Sequence, residues 1–252
     1  MEERTIGEGV DQPTAPHVLS RRRRFFRNIR SLESAAIAGV AYAVLSFIGL
    51  SLLSGFPSLA FDDADLTAWF DDGGNQTSLI VGLNAAAMSS VAFLWFVAVI
   101  RRRLGSREDR FFATVFLGSA LAYVGVWLSG AVALSAPAVA MTVLDAGSVS
   151  PSSVSLAGGI GAGFLLVVAP RLQAVFVLTA SSLIMRTGIL PRWISIVGYV
   201  AGLILFIVPI VWEPTSMLFP VWVFMVSVAI FLHRPDSTPA SGGEPEAAVP
   251  TR

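Results

Sequence analysis

Residues Asp71–Arg103 read DDGGNQTSLIVGLNAAAMSSVAFLWFVAVIRRR, with two aspartates at one end, three arginines at the other and no charged residue from Gly73 to Ile100. About 20 consecutive apolar residues cross the hydrocarbon core of a bilayer. In lipid such a segment must be a helix, because only a helix pairs its own backbone groups. The two ends also differ in sign, and that difference recurs along the chain. The 252 residues include arginine but no lysine, and most arginines border long apolar runs: Arg21, Arg22, Arg23, Arg24, Arg27 and Arg30, then Arg101, Arg102, Arg103, Arg107 and Arg110, then Arg186 and Arg192, then Arg234. The alternate connections carry acids instead, namely Asp62, Asp63, Asp65, Asp71 and Asp72, then Asp145, then Glu213.

Hydrophobic residues make up 54% of the chain and its mean hydropathy is +0.72, well above an ordinary soluble domain. Six stretches have the length and composition of spans: 34–54, 78–100, 112–137, 157–185, 193–212 and 216–232. Basic residues stay on the cytoplasmic side. The pattern therefore predicts an all-α polytopic bundle of six transmembrane helices, with both termini cytoplasmic, in the cytoplasmic (inner) membrane of a bacterium. Only Arg171 breaks the alternation. Residues 1–30 read as a disordered basic tail, 31–233 as the membrane domain and 234–252 as a second disordered tail rich in Pro, Gly, Ala and Glu. Within the first tail, Arg21, Arg22, Arg23, Arg24 and Arg27 are candidate contacts for anionic lipid headgroups, at about 1 kcal/mol per basic residue.

The chemistry that is missing narrows the function. There is no cysteine, which removes disulfides, thiolate catalysis and Cys-based metal sites. The two histidines, His17 and His233, lie outside the spans. Haem ligation by helix histidines, HExxH zinc chemistry and Ser–His dyads thus lack material. No cofactor, catalytic set or nucleic-acid partner is expected, and the chain reads as a non-enzyme. Between Asp62 and Asp72 the acids do not follow the alternating ligand pattern of a calcium loop. With Leu66, Trp69 and Phe70 between them, they suit a short helix at the outer interface.

Arg171, beside Pro170 in the fourth stretch, is the residue with the strongest claim to a role. An intramembrane charge is costly and faces a bundle interior or a wet cavity. At 1.5 Å per residue it lies about 22 Å beyond Arg186, in the outer third of the core. Asp145 and Glu213 are its candidate partners, in a ligand or ion-pair site. Asn84 is placed to hydrogen-bond across helices, and the pairs Gly159/Gly163 and Gly198/Gly202 to let backbones approach.

Two blocks, REDRFFATVFLGS at 107–119 and RTGILPRW at 186–193, resemble a widespread family of uncharacterised bacterial six-helix integral membrane proteins, as does the run from Leu83-Asn84 to Trp95-Phe96. The resemblance covers roughly 27–232 and implies the six-helix fold. It implies no activity, cofactor or ligand. In the sequences it resembles, the position of Arg102 is often acidic. Read physically, Arg107, Glu108, Asp109 and Arg110 form a charged inner hairpin whose acids complement the dipole of the following helix, a candidate docking surface for a cytosolic partner. Two functions follow as expectations. One is a non-enzymatic accessory or scaffold component of the cell envelope, contacting lipids and a membrane protein partner or a second copy. The other is a small transporter, permease or lipid-binding protein with an outward-facing cavity at Arg171.

Overall fold

A computed structural model describes residues 36–57, 61–104, 110–188, 190–208 and 213–232, with the side chains of 102–104, 110, 213 and 214 outside that description. The lipid-contact arginines of the first tail and the hairpin residues Arg107, Glu108 and Asp109 lie outside the described residues; Arg110 begins a helix.

The described chain is helical. Four helices have membrane-spanning length and hydropathy: α1 (Ala36–Leu53), α3 (Gly73–Leu104), α4 (Arg110–Thr142) and the compound helix Pro151–Thr187. The last consists of α5 (Pro151–Ala162), a π segment (Gly163–Val168) and α6 (Ala169–Thr187). Between α1 and α3 lies α2 (Asp63–Asp71). Two shorter apolar helices follow, α7 (Arg192–Ile207) and α9 (Leu218–Leu232), with the four-residue α8 (Glu213–Ser216) between them. The outward faces of α1, α3, α4 and α7 carry large apolar side chains, among them Phe47, Val91, Trp95, Leu121, Leu203 and Phe206.

The polar block DDGGNQT closes two helices at once. The Asp72 carboxylate accepts the Gly74 N–H at 2.8 Å, while Thr77 returns its hydroxyl to the Gly73 carbonyl at 2.7 Å. From the same first turn of α3, Asn75 donates to the Trp69 carbonyl and Gln76 to the Phe70 carbonyl, satisfying the last groups of α2. At the other end of α2, Asp62 caps the helix by accepting the Asp65 N–H at 2.8 Å. Leu66 and Phe70 are buried against Met141, Val149 and Val154, and the acids face outward. The short amphipathic helix expected there is present.

Two boundaries differ from the sequence reading. The connection expected over 138–156 shrinks to 143–150, because α4 continues through Pro137 to Thr142 and α5 starts at Pro151. Proline suits the first helical turn, where its missing N–H costs nothing, and Ser150 caps that turn. Further along, Pro170 with Arg171 reads as an interruption of the fourth stretch, since proline removes one helix hydrogen bond, but the helix continues through it. The π segment before it absorbs the mismatch, with the Ala169 N–H reaching five residues back to Phe164. After α6 the chain turns at Gly188 (φ +64°), whose N–H bonds the Ile184 carbonyl at 3.0 Å. The left-handed conformation there favours glycine.

The helices meet around an aromatic knot. Phe219 of α9 lies 5.0 Å from Tyr123 of α4, 5.6 Å from Phe93 of α3, and 5.8 Å from both Tyr42 of α1 and Phe176 of α6, all edge-to-face. Five helices thus contribute to one centre, and each such pair is worth about 0.5–1.5 kcal/mol beyond its burial. Small residues set the remaining spacing. Gly130 of α4 faces Leu165 and Gly161 of α5 faces Leu134, so each glycine takes the other helix's leucine. Gly198 and Gly202 of α7 sit against Ser181, Trp222 and Leu178, the close approach expected of them. Gly159 and Gly163 do not behave so; open space lies where their side chains would be.

Asn84 also departs from expectation. Its Nδ2 donates to the Ile80 carbonyl of its own helix at 2.9 Å, facing outward. Cross-helix hydrogen bonds come from residues without an obvious signal: Ser135 to the Leu79 carbonyl, Ser182 with Tyr199, and Tyr42 with Tyr123. Asn84→Leu is accordingly expected to move stability by less than about 0.5 kcal/mol, as at an ordinary surface position. Ser135→Ala, measured by the same denaturation in detergent, should cost about 1 kcal/mol.

Candidate functional site

The two ends of the bundle differ in charge. One end carries α2, Asp145 and the start of α5, packed together through Leu66, Phe70 and Val154. The other carries Arg101, Arg186 and Arg192, where the Arg186 guanidinium lies 4.3 Å from the Phe112 ring centre. A cavity of about 380 Å³ lies between the helices, its lining running from Tyr123 and Gln173 to Ser54 and Phe56 toward the acidic end. That volume falls within the range of small-molecule sites, about 300–1,000 Å³.

Five elements line it. α1 contributes Ser46, Leu50 and Leu53, with Ser54 just beyond it; α4 contributes Tyr123, Trp127 and Leu134; the α5–π–α6 helix contributes Leu165, Leu166, Pro170 and Gln173; and Ser216 of α8, the following Met217 and Pro220 of α9 close the side. Among the described residues that line it, none carries a charged side chain.

Its inner part is polar in a particular way. Ser46, Tyr123, Trp127 and Gln173 are between 1% and 6% exposed. Ser46 Oγ, Trp127 Nε1 and Gln173 Oε1 have no hydrogen-bond partner among the described residues. A buried polar atom left without a partner costs about 1–3 kcal/mol, and Ser181 Oγ, Ser195 Oγ and Trp222 Nε1, on α6, α7 and α9, are in the same position away from this cavity. Ser46, Trp127 and Gln173 surround the Tyr42–Tyr123 hydroxyl pair, 2.9 Å apart. Ser46 stands one turn from Tyr42, Trp127 one turn from Tyr123, and the Gln173 amide adjoins the Tyr123 hydroxyl. The three polar atoms are fully enclosed, so it is the apolar parts of these side chains that border the open volume.

The wall formed by the π segment adds to this. Pro170 has no N–H, so the carbonyl one turn before it receives no helical bond from that position. In five-residue spacing that carbonyl is Leu165's and in four-residue spacing Leu166's, and both residues line the cavity. π segments of this kind are frequent at functional sites.

Arg171, singled out from the sequence, is on another face. The cavity meets the helix at Pro170 and Gln173, and Arg171 is about 200° around the axis from Gln173. Its Nη1 donates to the Val167 carbonyl at 2.7 Å, one turn back on its own helix and at the π segment. Asp145 stands exposed at the turn that ends α4, with a left-handed φ of +52°, and Glu213 begins α8 with its side chain outside the described residues. Ser46, Trp127 and Gln173 escaped sequence reasoning because serine, tryptophan and glutamine are tolerated throughout membrane helices. Only Gln173 carried a faint signal, as an amide within an apolar span.

Among the described residues no group of three His, Asp or Glu side chains could hold a metal ion. Compared with known protein families, curated proteins and solved structures, the chain matches none.

Proposed function

We propose that this chain is a multi-pass protein of the bacterial cytoplasmic membrane that binds a small uncharged ligand in the cavity between α1, α4, α6 and α9, opening to the outer face. The observation that carries the reading is the cavity of about 380 Å³ itself, walled by apolar side chains of several helices with Tyr123, Trp127 and Gln173 at its inner part. Orientation rests on the arginines: placed inside, they put the acidic end, and with it the mouth, outside. In this topology α7 and α9 complete six spans with both termini cytoplasmic. At about 24 and 22 Å they are shorter than the bilayer core, a mismatch that local thinning accommodates. Arg171 acts in this reading as a brace for the π segment. The described lining residues are uncharged, which favours a neutral ligand.

The absence of cysteine makes the test direct. In intact cells Ser54→Cys, at the rim, should react with a membrane-impermeant thiol reagent, whereas Arg101→Cys should react only after permeabilisation. Ser46→Cys should react with a small reagent added from outside. If Ser46→Cys stays unreactive while Ser54→Cys labels, the cavity is closed and the binding reading is lost. The opposite pattern at Ser54 and Arg101 would invert the topology.

One observation favours the accessory reading as a second function. On the face of α4 turned away from the cavity, Gly118, Ala122, Gly125 and Ser129 are exposed in a row spaced three and four residues apart, a surface that suits close helix approach. Native mass spectrometry of the protein released gently from its own membrane would reveal a stoichiometric partner or a second copy.

A further inference from the structure

We infer that the groove between α3 and α4 at the arginine end of the bundle holds one anionic glycerophospholipid, with an acyl chain along Leu94, Val97, Ala98 and Leu117 and its phosphate at Arg101. The site is separate from the cavity and does not depend on it; it needs only that the long helices lie in a bilayer. The groove has a volume of about 480 Å³ and is lined by those four apolar residues and Arg101. On α3, Leu94, Ala98 and Arg101 stand at i, i+4 and i+7 and so share one face. That face runs about 10 Å along the helix axis.

Its place along α3 fits a lipid. No charged residue occurs from Gly73 to Ile100, so Arg101 is the first cation at the end of the apolar run. Trp95, six residues earlier, is exposed beside Leu94, and Trp193 is exposed at the same end of the bundle. Tryptophan collects at the level of the headgroups. Ala98 is exposed and Leu94 and Leu117 are half-buried, so the groove opens sideways, to the bilayer. An arginine at such a boundary lays its stem along the apolar wall and keeps its charged head among the headgroups.

Charge selects the class of lipid. The sequence from Arg101 to Arg110 holds five arginines against Glu108 and Asp109, a net charge of +3. Arg186 and Arg192 are exposed at the same end of the bundle. A guanidinium pairs with phosphate oxygens through charge-assisted, often paired, hydrogen bonds. A zwitterionic lipid would also bring an ammonium group into this cationic surrounding, whereas phosphatidylglycerol or cardiolipin brings only negative charge. A free phosphate would use the arginine and leave the apolar groove empty. The combination of an apolar groove and a cation at its end therefore suits an anion that carries its own hydrocarbon chain.

The test uses the full chain in phosphatidylcholine nanodiscs containing a minor fraction of lipid brominated in its acyl chains, either phosphatidylglycerol or phosphatidylcholine. Bromine quenches indole fluorescence on contact, and the difference between each protein and its Trp95→Phe counterpart isolates Trp95. Brominated phosphatidylglycerol should quench Trp95 about five-fold more effectively than brominated phosphatidylcholine at equal content, the factor that about 1 kcal/mol per basic residue represents. Arg101→Gln should bring the two lipids close to equal by removing the cation. Ala98→Phe should do the same by filling the groove while the cation stays. Both positions are exposed, and the ratio of the two lipids reports selectivity independently of how much protein folds. Equal quenching in the native chain would overturn the inference. Arg101→Gln with the native ratio would assign the preference to the other arginines, and Ala98→Phe with the native ratio would assign it to surface charge without a groove; either result removes the site. Excess glycerol 3-phosphate should leave the ratio unchanged, and its loss would mean that a phosphate alone is recognised and would overturn the lipid assignment. Labelling of Ser46→Cys reports on the cavity alone, so the two readings fail separately.

Discussion

Gly198→Ala is expected to destabilise the protein by about 2 kcal/mol, and Gly198→Leu to prevent the folded bundle from forming, within the range and beyond the tolerance of overpacked cores. A Cβ at this position would overlap Ser181 Oγ and stand 2.6 Å from Trp222 Nε1 and 3.1 Å from Cε2 of the same ring. The serine hydroxyl can rotate away. The indole cannot, because Trp222 is 2% exposed and lies edge-on against Phe176. The strain must therefore pass to the separation of α6, α7 and α9. Gly125→Ala and Gly159→Ala are the controls. Nothing lies within 4 Å of their added methyl groups, and alanine favours the helix by up to about 1 kcal/mol, so these variants should be as stable as the native chain or more so. Reversible unfolding in mixed micelles with increasing dodecyl sulfate would measure all four. A Gly198→Ala protein as stable as the native one would mean that α7 does not meet α6 and α9 at this point.

Phe219→Ala is the second change expected to have a large effect, about 3 kcal/mol. In soluble proteins removal of a buried phenylalanine costs about 3–5 kcal/mol. Within a bilayer the hydrophobic part of that cost is smaller, since lipid is as apolar as the core, and lost packing dominates. Phe219 is fully buried and touches four other aromatic rings from four other helices. Its loss empties the junction on which those helices converge. The space would join the floor of the cavity, whose lining includes Tyr123 and the adjoining Pro220. Phe206→Ala on α7 provides the contrast: that ring is 53% exposed on the outward face and should be removable at little cost. Equal stability of the two variants would show that the knot is not the organising contact.

The helices themselves were legible in the sequence because the bilayer imposes one requirement on every spanning segment, a long uncharged run that pairs its own backbone. Ser78–Ile100 meets it without reference to any other part of the chain. The turn at Gly188 and the amphipathic α2 were legible for similarly local reasons, a glycine where the backbone is left-handed and apolar residues spaced along one face. Boundaries were less legible where proline was involved. Pro137 reads as a stop and Pro170 as a break, yet α4 passes through the first and a π segment carries the helix to the second. A proline's effect depends on whether neighbouring helices hold the chain in place.

Charge pattern belongs to the sequence alone: the arginine and acidic clusters follow from composition along the chain and are the basis for its proposed orientation. The candidate site belongs to the tertiary structure. Arg171 drew attention because a charge in an apolar run is conspicuous, but residue spacing turns it away from the cavity and its guanidinium reaches its own helix. Ser46, Tyr123, Trp127 and Gln173 are unremarkable where each stands, on three helices separated by long stretches of chain. Packing of α1, α4 and α6 around the aromatic knot brings them to one wall, and burial leaves three of their polar atoms without partners. A span is specified by one-dimensional hydropathy because its partner is the lipid. A binding cavity requires the helices' relative rotation, which side-chain packing between them decides.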